Sequence, residues 1–170
     1  MFEFQFSEPN DVPDIINVYA DAARYQQSKG YNIWPDFPEK VILQEIKEQR
    51  HIKITKNNTI ACVFTLAYSD PIIWDVRDDN SAVYLHRIAT RLNFRGNNFM
   101  QSIVDWSKIK ALENNKSVLR LDTWAENENL KNYYLKFGFK TVSDKFLPPS
   151  TLTKHYWNIW VTLFEQEITR

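Results

Sequence analysis

The sequence predicts an α/β chain with a mixed sheet, six- or seven-stranded and central, flanked by about four helices, and three observations carry that reading. Apolar residues recur at the spacing of one helix face in several segments, and short alternating or β-branched runs lie between them. Ala82 to Thr123 also reads as strand, long helix, strand, a unit that requires a right-handed crossover and parallel strands, whereas a two-residue hairpin nearby requires antiparallel ones. Both pairings in one sheet make it mixed.

Each element follows from its local pattern. Glu3 to Phe6 is a short strand, and Asn10 stands as N-cap before Val12, Ile15, Ile16, Tyr19, Ala22 and Ala23, the face of a first helix. A loop over Ser28 to Pro35 carries Gly30, Tyr31 and Trp34, and Asp36-Phe37-Pro38-Glu39 has capping-box spacing for a second helix to about Gln49. Ile52 and Ile54 mark a strand, Asn57-Asn58 a turn, and Thr59 to Tyr68 the returning strand. Ser69 to Ser81 reads as a loop in which Asp70, Asp75, Asp78 and Asp79 surround Trp74. Ala82 to Thr90 is a strand, Asn97 to about Asn114 a helix striped by Met100, Ile103, Val104 and Ala111, and Ser117 to Thr123 a strand. Asn127 opens a helix with Leu130, Tyr133, Tyr134 and Phe137 on one stripe, and Gly138 stops it as a left-handed cap. Phe139 to Ser143 and Tyr156 to Glu165 close the chain as strands, joined by K-F-L-P-P-S-T-L-T-K.

Composition narrows the function. A chain of 170 residues is expected to form a single domain, residues 1 to 170, and its 44% hydrophobic and 25% charged content is that of an ordinary soluble globule. Lys+Arg and Asp+Glu both number 21, so no net field attracts nucleic acid or an anionic membrane, and no basic cluster is interleaved with the aromatics. Aromatic content of 15% leaves an RNA-stacking module as a weak third reading. The lone Cys62 lies in an apolar run, which fits a small core side chain and allows no intrachain disulfide. The N-terminus M-F-E-F-Q-F-S-E has neither the basic start nor the apolar run of a signal peptide, and no segment approaches membrane-spanning length, so a cytoplasmic location is expected.

The chain has three glycines, and one sits in R-L-N-F-R-G-N-N-F-M-Q, Arg91 to Gln101, where a strand crosses into a helix. Amides at a helix N-terminus, with the dipole behind them, form an anion site. The stretch is neither a P-loop nor a G-x-G-x-x-G fingerprint. On local grounds it is either a phosphate cradle or a plain helix entry relieved by Gly96 and capped by Asn98.

A second segment, L-D-T-W-A-E-N-E-N-L-K-N-Y-Y-L-K-F-G-F from Leu121 to Phe139, shifts the balance between them. Together with the Arg-Gly turn and with Y-L-H-R-I-A-T, Tyr84 to Thr90, it resembles the GNAT superfamily of N-acetyltransferases, and the order of elements agrees with a GNAT-like acyl-CoA N-acyltransferase fold. The resemblance covers nearly the whole chain, most specifically Tyr84 to Phe139. It implies acetyl-CoA as cosubstrate and no metal. Backbone groups at Ile88, Ala89 and Thr90 would bond the pantetheine arm, and the amides of Arg95, Gly96, Asn97, Asn98, Phe99 and Met100 would hold the pyrophosphate. Asn127 matches the asparagine on the cofactor arm. Asn98 and Met100 depart from the family pattern, which has small residues there.

The same resemblance implies a catalytic pair. His86 matches a histidine that arylalkylamine-type members use through water to deprotonate the amine, and its plain alternative is a hydrogen-bonded strand histidine. Tyr134 matches the tyrosine that protonates the departing thiolate, whereas Tyr133 is expected to pack in the core. Trp34, Asp70, Trp74 and Asp75 fall where the family's acceptor pocket is walled, and aromatic faces with carboxylates suit a cationic amine. Asp78 and Asp79 are expected to be a solvated surface. The expected partners are a small amine acceptor, no nucleic acid and no membrane, with a homodimer allowed. A CoA-binding or sensing module without turnover is the alternative class.

Overall fold

A computed structural model describes all residues except Thr151, Thr153 and Arg170, with the side chain of His155 also left aside. Seven strands are hydrogen-bonded in the order β1-β2-β3-β4-β5-β7-β6 among the described residues. They are β1 (Glu3–Phe6), β2 (His51–Lys56), β3 (Thr59–Ala67), β4 (Ala82–Thr90), β5 (Val118–Trp124), β6 (Lys140–Leu147) and β7 (Ile159–Glu167). The α-helices are α1 (Val12–Ser28), α2 (Glu39–Lys47), α3 (Pro71–Trp74), α4 (Phe99–Glu113) and α5 (Glu128–Leu135). The sheet is mixed as expected: β4 and β5 run parallel, and the pairs β1/β2, β2/β3, β5/β7 and β6/β7 antiparallel. Among the described residues no helix is long and apolar enough to cross a membrane.

The chain divides into two compact units, the first made of Met1–Leu66 and His86–Phe99, the second of Ala67–Leu85 and Met100–Arg170. In the first unit, Asn57 and Asn58 take φ of 50° and 60°, both left-handed, as a two-residue turn matched to strand twist requires. Residues Ile60 to Leu66 of β3 are all buried, the mark of a strand covered on both faces. The core gathers Val12, Ile15, Val18 and Tyr19 of α1, Ile42 and Ile46 of α2, Ile60, Val63 and Ala89, with Phe37 and Trp34 beside them.

Three expectations are corrected here. A single 3-10 turn over Pro9–Asp11 precedes α1, so the N-cap position falls on Asp11 and not on Asn10; the Asp11 side chain makes no cap bond to α1 and accepts the Glu8 amide at 2.7 Å instead. Ile16 is exposed and Val18 takes its place on the buried face. Asp36 does not cap α2, whose N-cap is Pro38 with no side-chain bond.

In the second unit, the β4/β5 register runs from Ala82↔Val118 to Leu85↔Leu121. The stripe Met100, Ile103, Val104 and Ala111 of α4 is buried as its spacing predicts. The expected loop over Ser69–Ser81 contains α3, capped by Asp70, whose Oδ1 accepts the Ile73 amide at 3.4 Å, with Pro71 at the first position. β6 extends beyond Ser143 to Leu147, and β7 begins at Ile159, Tyr156 lying in a 3-10 turn. Of the expected connection between them, Thr151 and Thr153 lie outside the described residues.

Candidate active site

The turn at Arg91–Met100 is built by two left-handed residues. After β4 the Arg91 amide donates to the Ala61 carbonyl at 2.9 Å, and its guanidinium reaches the Ile60 carbonyl and Asp14. One 3-10 turn, Leu92–Phe94, follows, and the Leu92 amide donates to Asp21 Oδ2 at 3.2 Å. Burial pulls the Asp21 carboxyl upward, yet that amide and the Arg24 guanidinium outweigh it and hold the group below its ordinary range. Gly96 then takes φ of 86° and Asn98 φ of 53°, and α4 begins at the next residue. Asn is the non-glycine residue that visits this region most readily, so Asn98 meets the backbone demand the family pattern usually gives to a small residue.

What the turn shows to solvent fits a diphosphate. Gly96, Asn97 and Asn98 are exposed, and a Cβ built on Gly96 would meet nothing within 4 Å. The fifteen residues of α4 stand behind the first-turn amides, which have no intrahelical acceptors. The Asn97 side-chain Nδ2 donates back to the Phe94 carbonyl at 2.7 Å. Phe99 and Met100 are buried, Phe99 meeting Phe2 edge-on at 4.8 Å. Arg95 is drawn onto α1, its guanidinium 3.5 Å from the Tyr25 ring centroid.

Upstream in β4, Ala89 is buried while His86, Ile88 and Thr90 are half-buried. Thr65 Oγ1 donates to the His86 carbonyl at 3.3 Å, and the Thr90 hydroxyl to Cys62 Sγ at 3.5 Å. Burial pushes the Cys62 thiol up to about 12, only partly offset by that hydroxyl, so it is an inert core residue as expected. Between His86 and Ile88 the strand contains an unexpected element: Arg87 takes φ of 49°. A non-glycine residue in that region costs about 1–2 kcal/mol and persists only where its surroundings hold it. Its guanidinium is paired with the buried Glu45 of α2 and lies 5.0 Å from the Phe37 ring. Sequence reasoning missed Arg87, Glu45 and the buried His51. A signal for Glu45 was present, since it shares the apolar face of α2 with Ile42 and Ile46.

The second unit holds Asn127 and Tyr134. Asn127 caps α5, its side chain accepting the Leu130 amide at 3.0 Å, and Gly138 ends that helical segment at φ of 87°, both as the sequence predicts. Tyr134 is packed between Phe139 and Phe164, with ring centroids at 6.3 Å and 5.9 Å. Burial first, then the charge of Asp122, pushes its hydroxyl well above the ordinary tyrosine range, so at neutral pH it carries its proton. Tyr133, expected in the core, is exposed and stacks on Phe137 at 4.8 Å instead; α5 turns only part of its stripe inward.

The acceptor candidates belong to both units. In the first unit Trp34 is half-buried against Tyr19 and Phe37, its amide donating to Gln26 Oε1 at 2.8 Å. A small cleft beside it is lined by Ile16, Tyr19, Ala20, Asp36 and Phe37. In the second unit Trp74 is a core residue, 1% exposed, beneath the Arg120 guanidinium at 4.8 Å. Asp70 caps α3 through Oδ1, and Asp75 pairs with Lys145 at 3.0 Å. Asp79 is exposed and accepts from Ser81, but Asp78 is no solvated bystander: it accepts the Tyr84 hydroxyl at 2.6 Å and Ser69 Oγ at 2.7 Å.

No protein-family model matches the chain. The uncharacterized N-acetyltransferase YesJ of Bacillus subtilis (strain 168) is 23% identical over 167 residues, covering 94% of this chain and 86% of YesJ. A GNAT-family acetyltransferase from Listeria monocytogenes 4b F2365 superposes with a TM-score of 0.79 at 22% identity, over 98% of this chain and 95% of that one. The chain has the GNAT acetyltransferase fold. The architecture therefore agrees with the resemblance read from Tyr84 to Phe139. A GNAT-fold neighbour from Salmonella typhimurium, YncA, solved with its cofactor acetyl-CoA, superposes with a TM-score of 0.70 at 12% identity over 100% of this chain and 95% of that one.

Proposed function

We propose that the chain is an acetyl-CoA-dependent N-acyltransferase that moves the acetyl group directly onto the primary amine of a small acceptor. The observation that carries this reading is the exposed turn with left-handed Gly96 and Asn98 at the start of α4, in a chain with the GNAT fold. The amides from Gly96 to Met100 would hold the diphosphate, and the β4 backbone at Ile88, Ala89 and Thr90 the pantetheine arm. Acetyl-CoA supplies the acyl group as an activated thioester.

The remaining chemistry falls to side chains. A lysine-like amine, with a reference pKa near ~10.4, is mostly protonated at neutral pH and must lose a proton before it attacks. His86 serves as that base, directly or through water, while the new N–C bond forms and the C–S bond breaks. Tyr134 returns a proton to the departing thiolate, a role its protonated state allows. Trp34 walls the acceptor side.

The test is melting with CoA, acetyl-CoA, ATP and a short RNA, followed by thiol release from acetyl-CoA in the presence of an amine panel. A ligand at ~100 times its Kd adds roughly 2.7 kcal/mol, a shift of several degrees for a chain of this size. A shift with CoA species and amine-dependent thiol release support the reading. A shift without release identifies a binding module instead, and no shift removes the cofactor assignment.

A further inference from the structure

We infer that Arg87 and Glu45 form a latch that fixes the backbone of β4 for the thioester arm, Arg87 being a positioning residue; the inference rests on the reading that Ile88–Thr90 bind that arm. Arg87 is the one residue of β4 with positive φ, at 49°, and it directly precedes Ile88. Its side chain runs inward from the strand and is nearly buried, 11% exposed, and the Glu45 side chain that accepts from it is 8% exposed. The guanidinium also faces Phe37 at 5.0 Å and Tyr19 at 6.0 Å, so α1, α2 and the segment between them all hold one cation. His51 of β2 lies close enough to feel the same charge.

The physical logic is a balance of two unfavourable items. A left-handed arginine in a strand is disfavoured by its own Cβ, and a buried carboxylate is disfavoured by desolvation. Each is tolerated because the other is present. If the guanidinium leaves Glu45, a buried tie that opposes the return of residue 87 to ordinary strand angles is lost. That change would re-aim the amides and carbonyls of Ile88, Ala89 and Thr90.

Two double variants test this, each with Glu45→Gln to avoid an unpaired buried charge. E45Q/R87M keeps a long apolar stem but must hold φ of 49° unaided, whereas E45Q/R87G accepts that angle freely. The readouts are amide NMR shifts of Ile88–Thr90 in the ligand-free protein and CoA affinity by titration. We expect E45Q/R87M to move those three amides and to weaken CoA by about tenfold or more, and E45Q/R87G to restore both. Should E45Q/R87M fail to fold, E45Q/R87A, which must hold the same angle with a smaller side chain, takes its place under the same outcomes. Unmoved amides in a folded E45Q/R87M, or equal displacement in E45Q/R87G, overturn it. If the wild-type chain binds no CoA, the cofactor reading falls while the amide comparison still reports on the latch.

Discussion

The hydroxyl of Tyr19 lies 3.0 Å from Nε2 of His51, and the other ring nitrogen meets Ser7 Oγ at 2.8 Å. His51 is fully buried with a hydroxyl partner on each ring nitrogen, so the neutral imidazole is satisfied there, while the imidazolium is disfavoured by its loss of solvation. Burial, and after it the Arg87 charge, bring its pKa from 6.5 to about 3 against the opposing pull of Asp11.

The pH consequence follows from the direction of that shift. Between pH 6.5 and about 3 the unfolded chain protonates His51 and the folded chain does not. The unfolded state then binds more protons, so stability contributed by the neutral ring is complete above pH 6.5 and is lost as pH falls through this window. Urea unfolding at pH 7 and pH 4.5 should show the wild type losing about 1–3 kcal/mol more than His51→Gln, which does not titrate. Equal losses would show that His51 is not held neutral.

A second prediction concerns the buried cation of the second unit. Arg120 Nη1 donates to the Tyr84 hydroxyl at 3.2 Å, and that hydroxyl donates on to Asp78 at 2.6 Å. Burial raises the Asp78 carboxyl, but Tyr84 and Ser69 outweigh it and hold it low. Tyr84→Phe strips a donor from Asp78 and an acceptor from Arg120 together, at a cost of about 1.5–3 kcal/mol. The Asp78 carboxyl should then titrate at higher pH in a carbon-detected NMR experiment, and acid unfolding should begin earlier. An unchanged Asp78 titration would show that Ser69, the Asp70 amide and the Arg120 charge set it without Tyr84.

The turn before α4 gives a third. Gly96→Ala finds open space for its methyl yet must take φ of 86°, so it should lose about 1 kcal/mol. Asn98→Gly should be neutral or slightly stabilising and should keep CoA binding, whereas Asn98→Val should lose about 1–2 kcal/mol because a β-branched residue resists φ of 53°. Melting curves with and without CoA measure both effects. A stable Asn98→Val would mean that the bend is held by contacts other than its own angles.

These residues also show what the sequence could and could not reveal. β1 and β4, the Asn57-Asn58 turn, the Asn127 cap and Gly138 were legible because each is decided within a few residues by period, cap or φ. The end of β6 was not, since Asp144 and Lys145 look like loop residues; Asp144 stays in the strand by accepting Thr162 Oγ1 of β7 at 2.6 Å. Arg87 lies inside A-V-Y-L-H-R-I-A-T, which reads as unbroken strand, and its left-handed angle depends on Glu45, 42 positions away. The motif positions were read through the family pattern, while Arg87 and Glu45 are joined by a pairing distant in sequence and had to be seen in the fold.

The last prediction separates chemistry from packing at Tyr134. Its ring lies against Phe139 and Phe164, and burial with the nearby Asp122 charge keeps the hydroxyl protonated well beyond neutral pH. Tyr134→Phe retains the ring, so melting should move little and CoA affinity should stay within about twofold. If the hydroxyl protonates the leaving thiolate, kcat should fall by about 10²-fold with little change in KM for acetyl-CoA. An acceptor of higher reactivity should not restore the rate, because the missing proton belongs to the leaving group. Thiol release at wild-type rate from a folded Tyr134→Phe would mean that solvent protonates the thiolate and that Tyr134 belongs to the core alone.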